Sequence, residues 1–331
     1  MYLKKIIKKV CLIGKPFFSL EPMDIQKELQ QASGFLNFDL LAKSIVEGFI
    51  SGMHKSPFHG FSAEFAEHKI YNNGESTRHI DWKLFAKTDK LYTKRYDEET
   101  NLRCHLIVDN SSSMHYPKQP QQDIDHLNKI SFSALAATAV MQLLKKQRDA
   151  VGLSVYSDAL DYYAPEKGSE RHHQMLLDCL ATTATQAQES AGTKTYEVLH
   201  QIAEKLHRRS LIFLFTDMLQ PEQEADKLFE ALRHLKHNKH ELVLFHVYDK
   251  ATEYNFKFDN APKRFVDVES GAAVDVHPEA LQQSYEVAIE AYFKDLRTTC
   301  GQYKINYVGV DIKEGFDKLL TAFLVERQKF I

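Results

Sequence analysis

The residues best suited to chemistry follow a short apolar run. His105 to Val108 lead into Asp109, Ser111 and Ser113, an aspartate and two serines that alternate with other residues. In the loop after a buried strand, a carboxylate and two hydroxyls at this spacing can face one point. Oxygen ligands suit Mg²⁺, which prefers octahedral coordination and keeps several waters. The triplet is only moderately specific by itself, but its place after an apolar run strengthens the prediction of a divalent-metal site.

Composition narrows the class of protein. The chain has 331 residues, of which 44% are hydrophobic, so it can bury a sizeable core in one large or two modest domains. Its formal net charge of -3 gives no basic footprint for nucleic acid. No apolar run approaches the roughly eighteen residues of a spanning helix, and the four scattered cysteines are typical of free thiols in a reducing compartment. We therefore expect a cytoplasmic location.

Residues 1–34 differ from the rest of the chain. The first twenty contain five lysines and no acidic residue, interleaved with isoleucine, valine and leucine. Lys15 follows a short uncharged run, which argues against an export signal. The sequence predicts a basic arm and linker. It leaves open whether this arm is a frayed amphipathic segment or makes weak peripheral contact with an anionic membrane.

Residues 35–100 are predicted to form an N-terminal helix and a β-rich module. Turn-forming residues follow the helix, and alternating side chains at 91–96 predict an exposed edge strand. The helix is predicted at about 40–50 from apolar residues at four-residue spacing, namely Leu41, Ile45 and Phe49.

From residue 101 to residue 331, strand and helix patterns alternate. Apolar strands separated by helices are typical of a doubly wound, mostly parallel α/β sheet covered on both faces. Two short alternating runs around Gly271 predict a hairpin insertion at about 250–277. Strands are predicted at 103–109, 151–157, 210–216, 241–248 and 305–311, and helices near 124–147, 169–184, 195–207, 222–237, 278–299 and 315–328.

Two aspartates and one loop can meet in a single crevice of such a sheet. Ligands bind outside the carboxyl ends of parallel strands, near the place where the strand order reverses. Asp109 and Asp217 end two of the predicted strands. In the loop 190–195, Gly192 frees the backbone to bring a threonine hydroxyl to the same crevice.

The order of these groups resembles the metal-ion-dependent adhesion site of von Willebrand factor A domains. The resemblance implies a von Willebrand factor A-like domain that binds Mg²⁺, with Mn²⁺ and Ca²⁺ as alternatives. In that family the hydroxyls bind the ion directly, the aspartates act mainly through waters, and a partner carboxylate completes the coordination. Carried over by position, the ligands are Asp109, Ser111, Ser113, Thr193 and Asp217, with Thr195 as the alternative to Thr193.

The segment before the triplet carries a more distinctive resemblance, to the domain-of-unknown-function 58 family. Glu75 stands where an aspartate is usual in that family, and Lys87 where an arginine is common, so both departures keep the charge. Many members begin with two membrane helices that this sequence lacks, so the chain resembles the short, soluble form. The resemblance covers about 35–331 and rests on 60–65, 71–82, 91–94, Glu99, Phe265, Glu269 and Tyr285.

Arg78, Asp81 and Trp82 belong to that signature and allow two interpretations. The first is a hydrogen-bonded ion pair that fixes the β-rich module to the α/β domain, with the tryptophan buried between the two charges. The second makes the same basic and aromatic surface part of a partner-docking face.

Two functions from different classes follow. The first is a non-enzymatic, Mg²⁺-dependent protein-interaction module that grips an exposed aspartate or glutamate of a partner. Family resemblance implies that this module is an adaptor or co-chaperone of a MoxR-type AAA+ ATPase. The alternative is a Mg²⁺-dependent hydrolase or phosphatase that uses the crevice of Asp109 and Asp217 to activate water.

Overall fold

The computed structural model describes residues 11–12, 38–51, 68–70, 82–88, 91–94, 102–118, 126–185, 195–219, 225–259, 261–266 and 273–328. The chain forms two compact units. One consists of residues 50–101, and the other joins residues 1–49 to residues 102–331.

The described strands are β1 (Cys11–Leu12), β2 (His68–Ile70), β3 (Tyr92–Lys94), β4 (Arg103–Asp109), β5 (Ala150–Tyr156), β6 (Leu160–Lys167), β7 (Leu211–Thr216), β8 (Glu241–Tyr248), β9 (Lys263–Val266), β10 (Ala273–Val276) and β11 (Asn306–Asp311). The described helices are α1 (38–51), α2 (Trp82–Thr88), α3 (Lys129–Lys146), α4 (Glu170–Thr185), α5 (Thr195–Lys205), α6 (Ala225–Lys236), α7 (Pro278–Gln302) and α8 (Asp317–Gln328). A 3-10 turn at Ser112–His115 and a π-helical turn at Lys250–Tyr254 complete the elements used below.

The smaller unit contains an antiparallel strand pair and a short helix. Strand β2 pairs with β3, so that His68 lies opposite Lys94 and Ile70 opposite Tyr92. The strand predicted at 91–96 is therefore present at its centre. Helix α2 lies between the two strands in the sequence.

Helix α1 groups through most of its length with the larger unit. Its buried residues are Ala42, Val46 and Phe49. The first two lie one position after the predicted Leu41 and Ile45, and Phe49 was predicted correctly. The Nε2 atom of Gln142 in α3 donates to Oδ1 of Asp39 at 2.6 Å, so a hydrogen bond joins α1 to α3.

The described strands of the larger unit form a six-stranded sheet in the order β11-β8-β7-β4-β5-β6. The first five are parallel to one another, and β6 pairs antiparallel with β5 at one edge. This confirms the predicted mixed α/β class with a mostly parallel central sheet. The antiparallel strand β6 was not predicted, because its sequence mixes charged and aromatic residues with a proline.

Helices cover both faces of the sheet. On one face, Ile212 and Leu214 of β7 share an apolar cluster with residues of α5, α6 and α7. On the other face, Phe213 packs against Phe323 of α8, with ring centroids 5.7 Å apart. Alternate residues of the same strand thus serve the two faces, which explains why β7 reads as a continuous apolar run.

The two short strands predicted around the glycine turn pair antiparallel as β9 and β10. Strand β1 adds to the outer side of β9, with Cys11 opposite Val266. Phe265 of β9 packs in a cluster with Phe256 and with Tyr285 of α7. The hairpin is therefore held to the first half of α7 by aromatic contacts.

One face of the sheet carries a buried polar network that depends on a glycine. His105 of β4 reaches across β5, where its Nε2 atom lies 2.8 Å from Oγ of Ser154, and its Nδ1 atom lies 2.7 Å from Oε1 of Glu166 on β6. A Cβ atom at Gly152, which lies opposite His105, would come within 2.5 Å of that Nδ1 atom and 2.9 Å of the Ala164 carbonyl oxygen.

We expect Gly152→Ala to destabilise the protein by roughly 1–3 kcal/mol, because the new methyl group must displace either a buried ring or the β6 backbone. Denaturant unfolding measures the loss. The matched control is Gly301→Ala near the end of α7, where a Cβ atom meets nothing within 4 Å. We expect that variant to be neutral or stabilised, and an equal loss in both variants would contradict the steric explanation.

Candidate metal centre

The carboxyl ends of β4 and β7 adjoin each other at the centre of the sheet. Strand β4 lies between β5 and β7 in the sheet. The strands that follow β4 in the chain are first added on the β5 side and then, from β7 onward, on the other side, so the strand order reverses between β4 and β7. The loops after β4 and β7 border this point. Asp109 is the last residue of β4, and Asp217 directly follows β7. Both carboxylates are buried.

Hydrogen bonds connect the two aspartates through the serines of the first loop. The Ser111 backbone N–H donates to Oδ1 of Asp109 at 2.9 Å, and the hydroxyl oxygens of Ser111 and Ser113 are 3.2 Å apart. The Ser113 hydroxyl in turn forms a hydrogen bond with Asp217. The structure thus brings four of the five predicted ligands into one continuous network.

Asp109 is held from both sides. Its Oδ2 atom accepts a hydrogen bond of 2.7 Å from the hydroxyl of Thr216, the last residue of β7. Burial, and next the negative charge of Asp217, raise the pKa of Asp109 to about 6, although the hydrogen bonds from Ser111 and Thr216 act in the opposite direction. The network therefore contains two acidic groups that repel each other in a site with little water.

A buried lysine lies on the far side of Asp217. The ammonium of Lys129 donates to Oδ2 of Asp217 at 2.8 Å and to Oε1 of Glu253 at 2.6 Å. Burial opposes ionisation of Asp217, but the nearby Lys129 charge and its hydrogen bond hold the pKa of Asp217 below its usual range. The lysine side chain is fully buried, and its amine lies 5.9 Å from the centre of the Tyr116 ring.

The local fold fixes where this lysine points. Lys129 is the first residue of α3, and the side chain of Asn128 caps the helix by accepting from the Ser131 backbone N–H. A lysine in the first turn of a helix is unfavourable, because the positive end of the helix dipole lies there. The carboxylates of Asp217 and Glu253 offset that cost.

Glu253 links the site to the π-helical turn that follows β8. Its Oε2 atom accepts from the backbone N–H of Asp249 at 2.7 Å, and its own carbonyl accepts from the Tyr285 hydroxyl of α7 at 2.7 Å. Burial raises the pKa of Glu253, although Lys129 acts in the opposite direction. The glutamate is therefore held at its side chain and at its backbone.

The backbone after Asp217 is strained. Met218 has a φ of 54°, in the left-handed region that costs a residue other than glycine of the order of 1 kcal/mol or more. The Met218 N–H donates to the Thr216 hydroxyl at 3.2 Å, and the Met218 carbonyl accepts from the Tyr292 hydroxyl at 2.6 Å. These bonds hold the turn that aims Asp217 into the network, and Oδ1 of Asp217 also accepts from the Leu219 N–H.

A neutral histidine lies beneath the network. Burial lowers the pKa of His246 to about 4, so its ring carries no charge at neutral pH. One ring nitrogen lies 2.7 Å from the Tyr307 hydroxyl, and the ring also hydrogen-bonds to the backbone of Asp217. His246 therefore supports the loop without adding to its charge.

The remaining predicted site residues are described only in part. Thr195 is the buried first residue of α5, whereas Thr193 lies outside the described residues, so the choice between them stays a prediction. Arg78 and Asp81 also lie outside the described residues, as does the side chain of Trp82, which begins α2. Their interdomain or docking role stays a prediction.

The donor set and the charge of the network fit a hard divalent cation. Within the described residues no three His, Cys, Asp or Glu side chains are arranged as a metal-binding group, so a site here depends on serine hydroxyls as well as carboxylates. With all of them ionised, the carboxylates of Asp109, Asp217 and Glu253 outnumber the single ammonium of Lys129 by two charges. A divalent ion would neutralise that excess, and oxygen donors suit Mg²⁺.

Lys129 and Glu253 are the residues that the sequence did not point to. They lie 88 and 36 positions from Asp217 in the chain, so no local pattern connects them. One signal was present: a lysine directly after a capping asparagine, at the helix end that disfavours a positive charge.

Comparison with known proteins identifies the family. The profile described as "Protein of unknown function DUF58" matches residues 67–292, which is more than half of the chain. The chain belongs to the DUF58 family. This confirms the family resemblance read from the signature segments, and neither the family description nor the relatives indicate an enzymatic activity.

The curated relatives that this DUF58 chain matches are described as uncharacterized proteins. Uncharacterized proteins of Mycobacterium tuberculosis and Mycobacterium bovis are 22% identical to it over 192 residues. The match covers 57% of this chain and 58% of each relative, so the chain spans less than two thirds of their length.

Solved structures with some similarity come from several bacteria. They include conserved hypothetical protein BatB from Bacteroides thetaiotaomicron (13% identity, TM-score 0.40, covering 69% of this chain and 99% of that one). An aerotolerance-related membrane protein from Bacteroides fragilis gives 14% identity and a TM-score of 0.44 over 69% and 99% of the two chains. An uncharacterized membrane spanning protein from Vibrio fischeri gives 14% identity and a TM-score of 0.20 over 68% and 98%.

The cytoplasmic location expected from the sequence is corrected by these findings. Two of the similar structures are described as membrane proteins, which contradicts that expectation. The expectation rested on the lack of a long apolar run and on the cysteine pattern, and neither property reports where a protein resides. For the part of the chain that the structure describes, every helix is too short or too polar to cross a membrane.

Asp109 gives the protein a pH dependence of known sign. Its pKa is about 6 when folded and 3.8 in an ordinary aspartate, so its contribution to stability is present at low pH and is lost as the pH rises through 6. Between about pH 4.5 and pH 7.5 in chelator, we expect the wild type to lose on the order of 2 kcal/mol relative to Asp109→Asn. Denaturant unfolding measures both, and parallel pH profiles would contradict the assignment.

Proposed function

We propose that this DUF58 protein is a Mg²⁺-dependent protein-interaction module built on a von Willebrand factor A-like domain. The observation that supports it is the single hydrogen-bonded network of Asp109, Ser111, Ser113 and Asp217 at the switch point of the sheet. The parallel strands with helices on both faces are compatible with that domain type. The excess of two negative charges supports binding of one divalent ion.

Each protein group would have a distinct part in holding the ion. Ser111 and Ser113, with Thr193 or Thr195, would offer neutral hydroxyls, and Asp109 and Asp217 would act mainly through their charge. Bound Mg²⁺ would supply an electrophilic centre that can accept an outside oxygen ligand. Because neutral hydroxyls leave much of the ion's charge uncompensated, an aspartate or glutamate from a partner is the ligand of choice.

The surrounding residues would keep the site rigid and dry. The Ser111 N–H and the Thr216 hydroxyl fix both oxygens of Asp109, so its rotamer is set before any ion arrives. Tyr156 is buried beside Asp109, and this burial, followed by the Asp109 charge, raises the pKa of the phenol well above its usual value. The phenol therefore stays neutral and adds no charge to the site.

Family resemblance supports a MoxR-type AAA+ ATPase as the partner, which makes the protein an adaptor or co-chaperone. In this proposal the metal site grips an exposed carboxylate on the ATPase or on its client. The geometry of the site supports binding of a partner carboxylate, and the identity of the partner is inferred from the family resemblance.

The alternative function is a Mg²⁺-dependent hydrolase or phosphatase. The closeness of Asp109 and Asp217 is common to both functions, but Lys129, the cation that contacts Asp217 among the described residues, is fully buried and already paired with two carboxylates. It is thus poorly placed to bind a substrate phosphate. Metal-dependent phosphatase activity that disappears in Asp109→Ala would overturn the interaction-only function.

We expect millimolar Mg²⁺ or Mn²⁺ to raise the melting temperature, and Ser113→Ala or Asp217→Ala to remove that shift. Binding to the native state alone stabilises it, by about 2.7 kcal/mol at a hundredfold excess over Kd. Differential scanning fluorimetry in chelator and in metal measures the effect. Ser133→Ala is the matched control, because this buried serine donates to the Lys129 carbonyl within α3 and is outside the ligand set. A wild type that does not respond to metal would refute the proposal.

For the partner, we expect a pull-down with the wild-type chain to retain an AAA+ ATPase in Mg²⁺ and to lose it in chelator. Ser113→Ala should lose the same protein in both conditions, whereas Ser133→Ala should behave as the wild type does. Quantitative mass spectrometry of the retained proteins measures the difference. Retention that is equal with and without chelator would show that the metal site does not hold the partner.

A further inference from the structure

The ammonium of Lys129 lies between two carboxylates that differ in their relation to the proposed metal site. Asp217 belongs to the ligand set, whereas Glu253 lies in the π-helical turn after β8 and does not. The lysine side chain is fully buried, and those of Asp217 and Glu253 are 3% and 11% exposed. The positive charge is therefore fixed next to the place where a divalent ion would bind.

Such a charge affects ion binding in two ways. The charge of Lys129 repels an incoming divalent ion. At close range in a buried site, where the effective dielectric constant is near 20, this repulsion lowers the affinity for the ion by several factors of ten. The ammonium also occupies Oδ2 of Asp217, while Oδ1 already accepts from the Leu219 N–H. An ion that uses Asp217 must share this carboxylate with the lysine.

Glu253 moderates this competition. Its Oε1 atom accepts from Lys129 at 2.6 Å while Oδ2 of Asp217 accepts at 2.8 Å, so the glutamate competes with the ligand set for the ammonium. The glutamate is itself fixed, because its other oxygen accepts from the Asp249 N–H and its carbonyl accepts from Tyr285. The ammonium is thus shared between a rigid acceptor outside the site and one ligand inside it.

We propose that Lys129 is an internal cation that sets the divalent-ion affinity of the site, and that Glu253 is a positioning residue that acts through Lys129. This inference rests on the proposed metal-binding function and deepens it. The lysine keeps the apo protein folded by compensating buried carboxylates, and it limits how tightly the ion is held. The site would then bind and release its ion reversibly.

The test compares Lys129→Met and Glu253→Gln, each of which removes one charge of the buried cluster. We expect Lys129→Met to bind Mn²⁺ alone at least about tenfold more tightly than the wild type, because the ion now compensates the carboxylates. We expect Glu253→Gln to bind about tenfold more weakly, because the ammonium turns fully to Asp217. Isothermal titration calorimetry or Mn²⁺ electron paramagnetic resonance at constant pH measures the affinities.

A merely structural role would destabilise both variants and would not move the two affinities in opposite directions. Lys313→Met is the matched control, because Lys313 pairs with Asp249 in the same region at 3.1 Å and does not contact Asp217. Its Mn²⁺ affinity should equal that of the wild type. If Lys129→Met folds only with metal present, its rescue by Mn²⁺ supports the proposal, and Glu253→Gln supplies the affinity comparison.

The double variant decides whether Glu253 acts through the lysine. In the Lys129→Met background, Glu253→Gln should weaken Mn²⁺ binding by less than it does in the wild type, since the residue on which it acts is gone and only the direct attraction between the glutamate charge and the ion is lost. A full tenfold effect there would overturn the positioning role. Equal affinities of the wild type and Lys129→Met would overturn the inference and leave the metal site standing. Absence of Mn²⁺ binding in all of these proteins would overturn the inference together with the proposed function.

Discussion

The carboxyl edge of the sheet is organised by one constraint, the burial of more negative than positive charge. Asp109, Asp217 and Glu253 meet within a region from which water is largely excluded, and the ammonium of Lys129 compensates only part of their charge. Much of the nearby structure follows from this. The pKa values of the two aspartates are driven in opposite directions because one carboxylate has the lysine as a neighbour and the other has only hydroxyls and a backbone N–H.

The same constraint explains why distant elements converge on this edge. Lys129 comes from the start of α3, Glu253 from the turn after β8, and Tyr292, which holds the strained Met218 peptide, from the middle of α7. Each of these groups hydrogen-bonds to a partner from another element. The site therefore depends on several elements at once, so a substitution far away in the sequence affects the aspartates through a single hydrogen bond.

Much of the α/β architecture could be predicted because its signals are local. The parallel strands are continuous apolar runs, and their bounds in the structure differ from the predicted ones by at most one residue. Strand β6 was not predicted because its mixture of charged and aromatic residues with Pro165 gives no strand periodicity. In α1 the small residue Ala42 is fully buried, whereas the larger Leu41, which was expected in the core, is only partly buried. The partners of Lys129 could not be predicted, because contacts between residues that are distant in the chain produce no periodic pattern in the sequence.

The glycine opposite His105 has a consequence for how this family can diverge. The His105 ring can extend from β4 to β6 only because position 152, on the strand between them, has no side chain. We therefore expect substitutions at positions 105, 152 and 166 to occur together. A relative with a larger residue at 152 must also shorten the residue at 105 and release the acid at 166. Correlated changes at these three positions would therefore record the history of the buried network separately from that of the metal-site residues.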